Sequence, residues 1–353
     1  MDYNLTFFLF LLGPPLAGEL VFLFLLSRRR RPQESWFRNL LIIFAGCLLL
    51  VLLALAGGEA YYRFVYDTTD SMDVTELSRR WMRRYIIENS AGFRDNIEYH
   101  LRIEPGRRRV TFVGDSFVVG HGIKSVEDRF PNIIRRDQPD WEVHTLARSG
   151  YDTGSELDLM QLEFEGGYQA DVVVLVYFLN DISDLMLEMR GELFSWVSKW
   201  AGGKGWLCRH SYFVDLLYMR YELAQEPMMM NYFEYVRDGY QGALWEEQQQ
   251  RLRAFRDQVQ SHGGKLLVVT FPFMQAVGPQ YPYKFIHEEL DRFWMRERVP
   301  HLDLLSVYSN LPSAKITVNH FDAHPNEYAN ALAAQVIEPF LRTNMAAATP
   351  PAP

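Results

Sequence analysis

The sequence is poor in the residues and spacings that build several common kinds of functional site. It contains only two cysteines, Cys47 in an apolar stretch and Cys208 in a polar one, and we expect no disulfide between them. Cys208 and His210 lack the second pair of ligands that a zinc site requires. No glycine-rich, phosphate-binding loop follows a predicted strand, which disfavours a nucleotide-binding protein. We therefore expect neither a metal nor another cofactor.

Basic residues are also fewer than acidic ones. The 353 residues include 36 Lys and Arg against 44 Asp and Glu, a net charge of −8. No basic stripe accompanies a nucleic-acid-binding motif, so we exclude nucleic acid as a partner. Apolar residues make up 48% of the chain, enough for a packed core, and the length allows one large domain with additional segments or two domains.

Two long hydrophobic runs lie near the N-terminus, at residues 5–26 and 40–56. Each has close to the ~20 residues that a helix needs to cross the hydrocarbon core of a bilayer. The loop between them, residues 27–39, is rich in arginine: Arg28, Arg29, Arg30, Arg31 and Arg38. Positive residues in a short loop remain cytoplasmic. We predict a transmembrane hairpin over residues 1–57 with both of its ends on the other side of the membrane.

A signal peptide is the alternative for the first run. A signal peptide has a basic leader, whereas the arginines here follow the apolar run, so two spans are the preferred interpretation. In a bacterial cell this predicts a two-pass inner-membrane protein whose remaining chain is periplasmic or extracellular. Glu19 interrupts the first run, and a carboxylate within a membrane raises the question of a function. A position near one face of the membrane, or a partner within the hairpin, is the simpler explanation.

The chain beyond the hairpin divides into a connecting region, residues 58–107, a domain at residues 108–342 and a disordered tail at residues 343–353. The connecting region contains one predicted helix, residues 75–89, and we expect no chemistry of its own there.

Strands and helices alternate along the domain at residues 108–342. The predicted strands are short apolar runs: residues 108–113, 141–147, 170–179, 265–271 and 302–307. The predicted helices have one apolar face: residues 126–137, 155–164, 244–261 and 329–341. This alternation predicts a doubly wound parallel sheet with helices on both faces. The uninterrupted apolar run 170–179 is typical of a central strand that is covered on both sides.

Chemically suitable residues follow several of these strands. Ser116 follows the first strand, Gly150 the second, Asn180 the third and His324 the last. A serine on a turn after a buried strand is in a position to act as a nucleophile. A helix that follows such a turn directs free N–H groups at developing negative charge. Each residue alone has an ordinary structural explanation, but the four together indicate an active site.

The motifs around these residues resemble those of the SGNH (GDSL-type) hydrolase family, in the order of that family and across residues 108–341. The matching pieces are Gly114-Asp115-Ser116, Ser149-Gly150, Leu179-Asn180-Asp181 and Asp322-Ala323-His324-Pro325. The resemblance implies a flavodoxin-like three-layer fold and a serine esterase or acyl-transfer mechanism. The hairpin and the connecting region lie outside it.

The resemblance also implies roles for single residues. Ser116 would be the nucleophile and His324 the general base. The backbone N–H groups of Ser116 and Gly150 and the side-chain amide of Asn180 would form the oxyanion hole.

The sequence departs from the family at the acidic residue of the triad. The family places this residue three positions before the histidine, where this chain has Phe321. We assign Asp322, two positions before His324, with His320 or a backbone carbonyl as alternatives that orient the imidazole. Asp115 is expected to stabilise the turn through hydrogen bonds to the backbone. His121 is interpreted as a loop histidine rather than a second base.

Residues 183–240 form an insertion that a minimal doubly wound sheet does not need. It is rich in methionine and aromatic residues, among them Trp196, Trp200, Met228, Met229 and Tyr232. One interpretation is a cap that binds an acyl chain or a glycan. The preferred one is a helical subdomain whose aromatic residues form its own core. Since the insertion leaves from the Asn180 loop, it should border the active site in either case.

The sequence thus predicts a membrane-anchored serine esterase outside the cytoplasm. Its expected substrate is an acyl ester, an O-acetyl ester above all, on a carbohydrate or lipid of the cell envelope. Two alternatives remain open. One is an O-acyltransferase that uses the same chemistry with a membrane acyl-donor protein as its partner. The other is a catalytically silent protein of envelope assembly or binding that retains the fold.

Overall fold

A computed structural model describes residues 3–28 and 35–346. Arg29, Arg30 and Arg31 of the predicted loop and residues 347–353 of the predicted tail lie outside the described residues. The side chains of residues 3, 4, 35, 188, 199–203, 228, 229 and 346 lie outside the description as well, and these include Trp200, Met228 and Met229.

The α-helices in chain order are α1 (Tyr3–Arg28), α2 (Ser35–Ala60), α3 (Glu76–Tyr85), α4 (Ser116–Val119), α5 (Phe130–Asp137), α6 (Thr153–Glu165), α7 (Leu187–Gly203), α8 (Trp206–His210), α9 (Tyr212–Gln225), α10 (Pro227–Met230), α11 (Tyr232–Gly239), α12 (Gly242–Ser261), α13 (Lys284–Glu297), α14 (Leu305–Tyr308), α15 (Ser313–Ile316) and α16 (Glu327–Ala346). The strands are β1 (Arg108–Gly114), β2 (Trp141–Ala147), β3 (Val172–Phe178), β4 (Lys265–Phe271), β5 (His301–Asp303), β6 (Thr317–Asn319) and β7 (Asp322–Pro325).

Five strands form one parallel sheet in the order β2-β1-β3-β4-β5. Val110 of β1 lies opposite Val143 on one side and Val172 on the other. Every residue of β3 is buried, as its uninterrupted apolar run predicts. The predicted fold class, a doubly wound parallel sheet of the flavodoxin type, is confirmed by this strand order.

Helices cover both faces of the sheet. The chain moves across the sheet in one direction from β1 to β2 and in the opposite direction from β2 to β3 and β4. With the usual right-handed crossovers, the helix after β1 lies on one face and the helices after β2 and β3 lie on the other. Accordingly, α5 packs against α16, and α6 packs against α12. Because all five strands are parallel, their carboxyl ends meet at one edge, where the loops after β1, β2 and β3 carry Ser116, Gly150 and Asn180.

Two predicted elements differ from the structure because polar or proline residues interrupt them. The strand predicted at residues 302–307 ends at Asp303, whose carboxylate accepts the backbone N–H of Leu305 and so begins α14. The helix predicted at residues 126–137 is broken at Arg129, and α5 begins beside Pro131, which is tolerated in a first turn.

The ends of the chain's helices also differ from the prediction. The helix expected at residues 75–89 begins after Thr75, which caps it, and ends at Tyr85. The last helix runs to Ala346, so the first four residues of the predicted disordered tail are helical. Arg108 and Lys265 donate hydrogen bonds to the carbonyls of Met345 and Asn344 and thereby satisfy this helix end.

The two N-terminal helices pack against each other and are long and apolar enough to cross a membrane by length and composition. The second apolar stretch extends to Val65, beyond the predicted boundary at residue 56. Glu59 near its end accepts hydrogen bonds from the Ser211 hydroxyl and from the backbone N–H groups of Tyr212 and Phe213. The end of α2 is therefore hydrogen-bonded to the N-terminus of α9, a helix of the insertion.

The insertion holds five helices, α7 to α11. Part of it shares a small core with the connecting region, formed by Val74, Leu77, Trp196, Leu216 and Met219. Other apolar residues of the insertion are exposed, including Phe194 and Trp206. The preferred interpretation, in which the aromatic residues form an internal core, therefore applies to only some of them.

Candidate active site

Ser116 is the first residue of α4, directly after β1. The turn is tight because Gly114 has no side chain: a Cβ there would lie 2.6 Å from the Val118 side chain and 3.0 Å from the Val176 carbonyl oxygen. The Asp115 carboxylate accepts the backbone N–H of Phe117 at 2.9 Å and so begins the helix, in the structural role that the sequence predicts. Burial raises the pKa of Asp115 to about 6.

His324 approaches Ser116 from a different part of the chain. It lies on β7, which pairs antiparallel with β6 in a separate two-stranded sheet rather than following a strand of the main sheet. Its Nε2 is 2.8 Å from the hydroxyl oxygen of Ser116. Nε2 is thus placed to accept the hydroxyl proton.

The structure places Asp322 directly beside His324 despite the unusual spacing. Nδ1 of His324 donates to Oδ1 of Asp322 at 2.5 Å, and the backbone N–H of His324 donates to the same oxygen at 3.1 Å. The second oxygen, Oδ2, accepts the hydroxyl of Thr69. Burial alone would raise the pKa of Asp322, but His324 and His121 beside it hold this pKa well below its usual range. His320, the alternative orienting residue, is exposed.

The two further predicted oxyanion groups line the same cavity as Ser116. Gly150 has φ +79°, a left-handed conformation that favours glycine. The side-chain amide of Asn180 donates to the Tyr232 hydroxyl at 3.2 Å. Because an amide nitrogen carries two hydrogens, one donor remains for a substrate oxygen.

The cavity beside Ser116 has a volume of about 550 Å³. Three parts of the chain enclose it. Its walls include Phe117 and Phe178 of the sheet domain, Leu193, Leu223, Tyr232 and Phe233 of the insertion, and Ser71, Met72 and Asp73 of the connecting region. The insertion borders the site, in line with the sequence prediction.

Sequence reasoning missed the contribution of the connecting region, for which we expected no chemistry. Thr69 reaches Asp322, and Asp73 reaches His121, which in turn contacts both Asp322 and His324. These contacts join residues that are about 50 to 250 positions apart, and no spacing motif marks them. The one local signal was the aspartate-rich stretch that includes Asp70 and Asp73.

His121, Asp322 and His324 each place one ligand atom within 4.8 Å of the others. Their nearest polar atoms are already bonded to one another, to Ser116 and to the connecting region. We therefore interpret this group as a hydrogen-bond network and not as metal ligands.

A hydroxyl, an imidazole and a carboxylate joined in series at the carboxyl edge of a parallel sheet have the geometry of a serine hydrolase. No family model matches the sequence, and no curated protein is similar enough to match it. Solved structures do match. They include a G-D-S-L family lipolytic protein from Veillonella parvula, with 12% identity, 67% of this chain and 99% of that chain covered, and a TM-score of 0.40.

Two further matches are esterases. One is the psychrotrophic esterase EstA from Pseudoalteromonas, with 13% identity, 67% of this chain and 98% of that chain covered, and a TM-score of 0.41. The other is a two-domain esterase active on acetylated mannans, with 15% identity, 70% of this chain and 52% of that chain covered, and a TM-score of 0.40.

Proposed function

We propose that this protein is a membrane-anchored SGNH-type serine esterase that hydrolyses or transfers an acyl group on a carbohydrate or lipid of the cell envelope. The observation that carries the proposal is the continuous hydrogen-bonded series from Ser116 through His324 to Asp322, beside a cavity large enough for a small ester. An isolated serine near a histidine is common, but a buried carboxylate on the far side of the imidazole gives the histidine one defined tautomer.

The reaction follows from these contacts. His324 Nε2 takes the proton of Ser116 as the serine oxygen attacks the ester carbonyl. The negative oxygen that forms is stabilised by the backbone N–H groups of Ser116 and Gly150 and by the amide of Asn180. His324 then gives the proton to the leaving alcohol, and the acyl group remains on Ser116. A water molecule or a sugar hydroxyl, deprotonated by His324, releases it.

The polar groups of the cavity favour a hydroxyl-rich substrate. Nε2 of Gln275 and Oδ1 of Asn180 are buried atoms without a hydrogen-bond partner among the described residues, and both residues line the cavity. A buried polar atom without a partner costs about 1–3 kcal/mol, and sugar hydroxyls would satisfy it. This supports an acylated carbohydrate as the substrate, and we propose an O-acetyl group as its acyl part.

The membrane anchoring and the extracytoplasmic location belong to the proposal as well. They are supported by the two apolar helices and by the arginine-rich loop between them. A protein that remains with the membrane fraction after an alkaline wash and retains its N-terminus would agree with two spans. A mature chain that lacks the first helix would identify that helix as a signal sequence.

The test of the activity uses the full-length protein in detergent. We expect a fluorophosphonate probe to label the wild type and not the S116A variant, and p-nitrophenyl acetate turnover to be lost in that variant. Acetyl transfer to a sugar acceptor in competition with water would identify the O-acyltransferase alternative. A folded wild type that is neither labelled nor active would favour the silent envelope-assembly or binding protein.

A further inference from the structure

His121 lies in a loop, as its sequence position suggests, but it is buried against the proposed triad. Its side chain is almost fully buried, and its ring centroid is 4.4 Å from that of His324. Its Nε2 is 3.3 Å from Oδ2 of Asp322. The same nitrogen is 3.1 Å from the carbonyl oxygen of Asp70 and 3.4 Å from Oδ1 of Asp73. Because all three neighbours accept hydrogen bonds, Nε2 must carry a proton.

We propose that His121 is a positioning residue for the reaction: it holds Oδ2 of Asp322, leaves Oδ1 to His324, and, as a cation paired with Asp73, extends the activity of His324 to lower pH. This inference rests on the proposed serine esterase function.

The first part of this role follows from the short spacing between Asp322 and His324. With only one residue between them, Oδ1 accepts both the ring Nδ1–H and the backbone N–H of His324. The orientation of this carboxylate then depends on what holds the opposite oxygen. Only Thr69 and His121 contact Oδ2 among the described residues. Both contacts therefore compensate for the departure from the usual spacing.

The second part of the role follows from the charges around His121. Asp73 and Asp322 face its Nε2, and His324 faces its ring. Two nearby basic side chains are arginines. Arg94 donates hydrogen bonds to the carbonyl oxygens of Val119 and Gly120, and Arg220 lies over the ring of Phe321. Burial would lower the pKa of His121, but Asp73 and Asp322 raise it to about 9. These two carboxylates favour the cationic form of His121, whose Nδ1 has no hydrogen-bond partner among the described residues.

The conformation of Asp73 agrees with a functional position. Its φ is +55°, in the left-handed region that residues other than glycine rarely adopt. Such a conformation is retained where the surroundings hold it, often at functional sites. Asp73 lines the cavity and directs its carboxylate at His121.

A cation beside His324 disfavours protonation of that imidazole. His324 must be neutral to accept the proton of Ser116, so the rate rises with pH as His324 loses its proton. Neutralising His121 should raise the pH at which this occurs. For two charges about 4 Å apart, the expected shift is at least about 0.7 pH unit, the value for full solvent screening.

The experiment is the pH dependence of kcat/KM for p-nitrophenyl acetate, measured on the full-length protein in detergent. In H121Q the neutral amide can still donate to Asp322, so we expect the acid limb to move up by about 0.7 pH unit or more, with a loss of less than about tenfold on the plateau. The T69V variant removes the other donor to Oδ2 without changing any charge. We expect its plateau to fall while the acid limb stays in place.

H320Q is the matched control, because His320 is exposed and precedes the same short strand. Its profile should equal that of the wild type. A profile of H121Q that superimposes on the wild type overturns the proposal.

Fluorophosphonate labelling supplies a second measurement that needs no substrate turnover. The acid limb of the labelling rate should lie at higher pH in H121Q than in the wild type. Equal limbs in the two proteins overturn the role of His121 while leaving the esterase function intact. If the wild type is neither labelled nor active, the proposed serine esterase function is wrong, and the proposed role of His121 in that reaction is wrong with it.

Discussion

At the scale of the residue, the departure at Asp322 has a structural solution. Asp322 lies two positions before His324, and one of its carboxylate oxygens accepts hydrogen bonds from both the ring Nδ1–H and the backbone N–H of His324. The sequence left open whether His320 or a backbone carbonyl orients His324 instead. Among the described residues, Nδ1 of His324 has Asp322 as its hydrogen-bond partner, which favours a full triad over a dyad.

The D322N variant tests this geometry. An amide can present its N–H to His324 and so favour the wrong tautomer, which in a comparable triad lowers kcat by about 10⁴. We therefore expect a loss of kcat of this order, close to that of H324A, with the thermal transition retained. Single-turnover acylation would measure it. A loss of less than about tenfold would support a dyad in which a backbone group orients His324.

At the scale of the element, α6 brings a buried carboxylate behind the site. Glu156 is fully buried, and neither of its carboxylate oxygens has a hydrogen-bond partner among the described residues. Burial raises the pKa of Glu156 well above its usual value, and the neighbouring Asp115, Asp152 and Asp184 raise it further. These surroundings favour the protonated form of the Glu156 carboxyl group in the folded protein.

The pH dependence of stability should reveal this group. Because its pKa is raised on folding, its contribution to stability is complete below the ordinary pKa of ~4.3 and decreases as pH rises towards the folded value, by up to about 1.4 kcal/mol per pH unit. We expect E156Q, which does not titrate, to raise Tm at pH 8 and to change it little at pH 4. Thermal unfolding at both values measures the difference. E165Q, at the exposed end of the same helix, is the control.

At the scale of the whole molecule, the proposed site is assembled from parts that lie outside the sheet domain. Thr69 and Asp73 come from the segment directly after the second apolar helix. Arg220 of α9 lies 4.2 Å over the ring of Phe321 and donates to its carbonyl oxygen at 3.4 Å. The short strand that carries Asp322 and His324 is therefore held from the insertion and from the connecting region.

The R220A variant tests whether the insertion supports the site. A cation over an aromatic ring contributes about 0.5–2 kcal/mol, so we expect kcat to fall by up to about 2- to 30-fold if this contact holds the strand in its catalytic position. R237A is the matched control, because the side chain of Arg237 forms its ion pairs with Glu234 and Asp238 of its own helix, α11. Equal activity of R220A and wild type would show that the insertion encloses the cavity without positioning the strand.

The fold class and the convergence of Ser116, Gly150 and Asn180 could be predicted from the amino-acid sequence alone. Both follow from local patterns: apolar runs of strand length define the sheet, and the carboxyl ends of parallel strands must meet at one edge. The turn at Gly114-Asp115-Ser116 could also be predicted, because the hydrogen bond from the backbone N–H of Phe117 to the Asp115 carboxylate joins residues only two positions apart. The position of His324 beside Ser116 was expected from the resemblance to a family rather than from any pattern of its own.

The surroundings of Asp322 and His121 could not be predicted in this way, because they depend on how distant segments pack. Their partners are side chains of another segment, and a hydrogen bond from Thr69 to a carboxylate 253 positions away leaves no periodicity or spacing in the sequence. The end of β5 likewise depends on a single contact, the hydrogen bond from the backbone N–H of Leu305 to the Asp303 carboxylate at the start of α14. Local patterns report which face of an element is buried, whereas the pairing of buried polar groups depends on how distant segments pack.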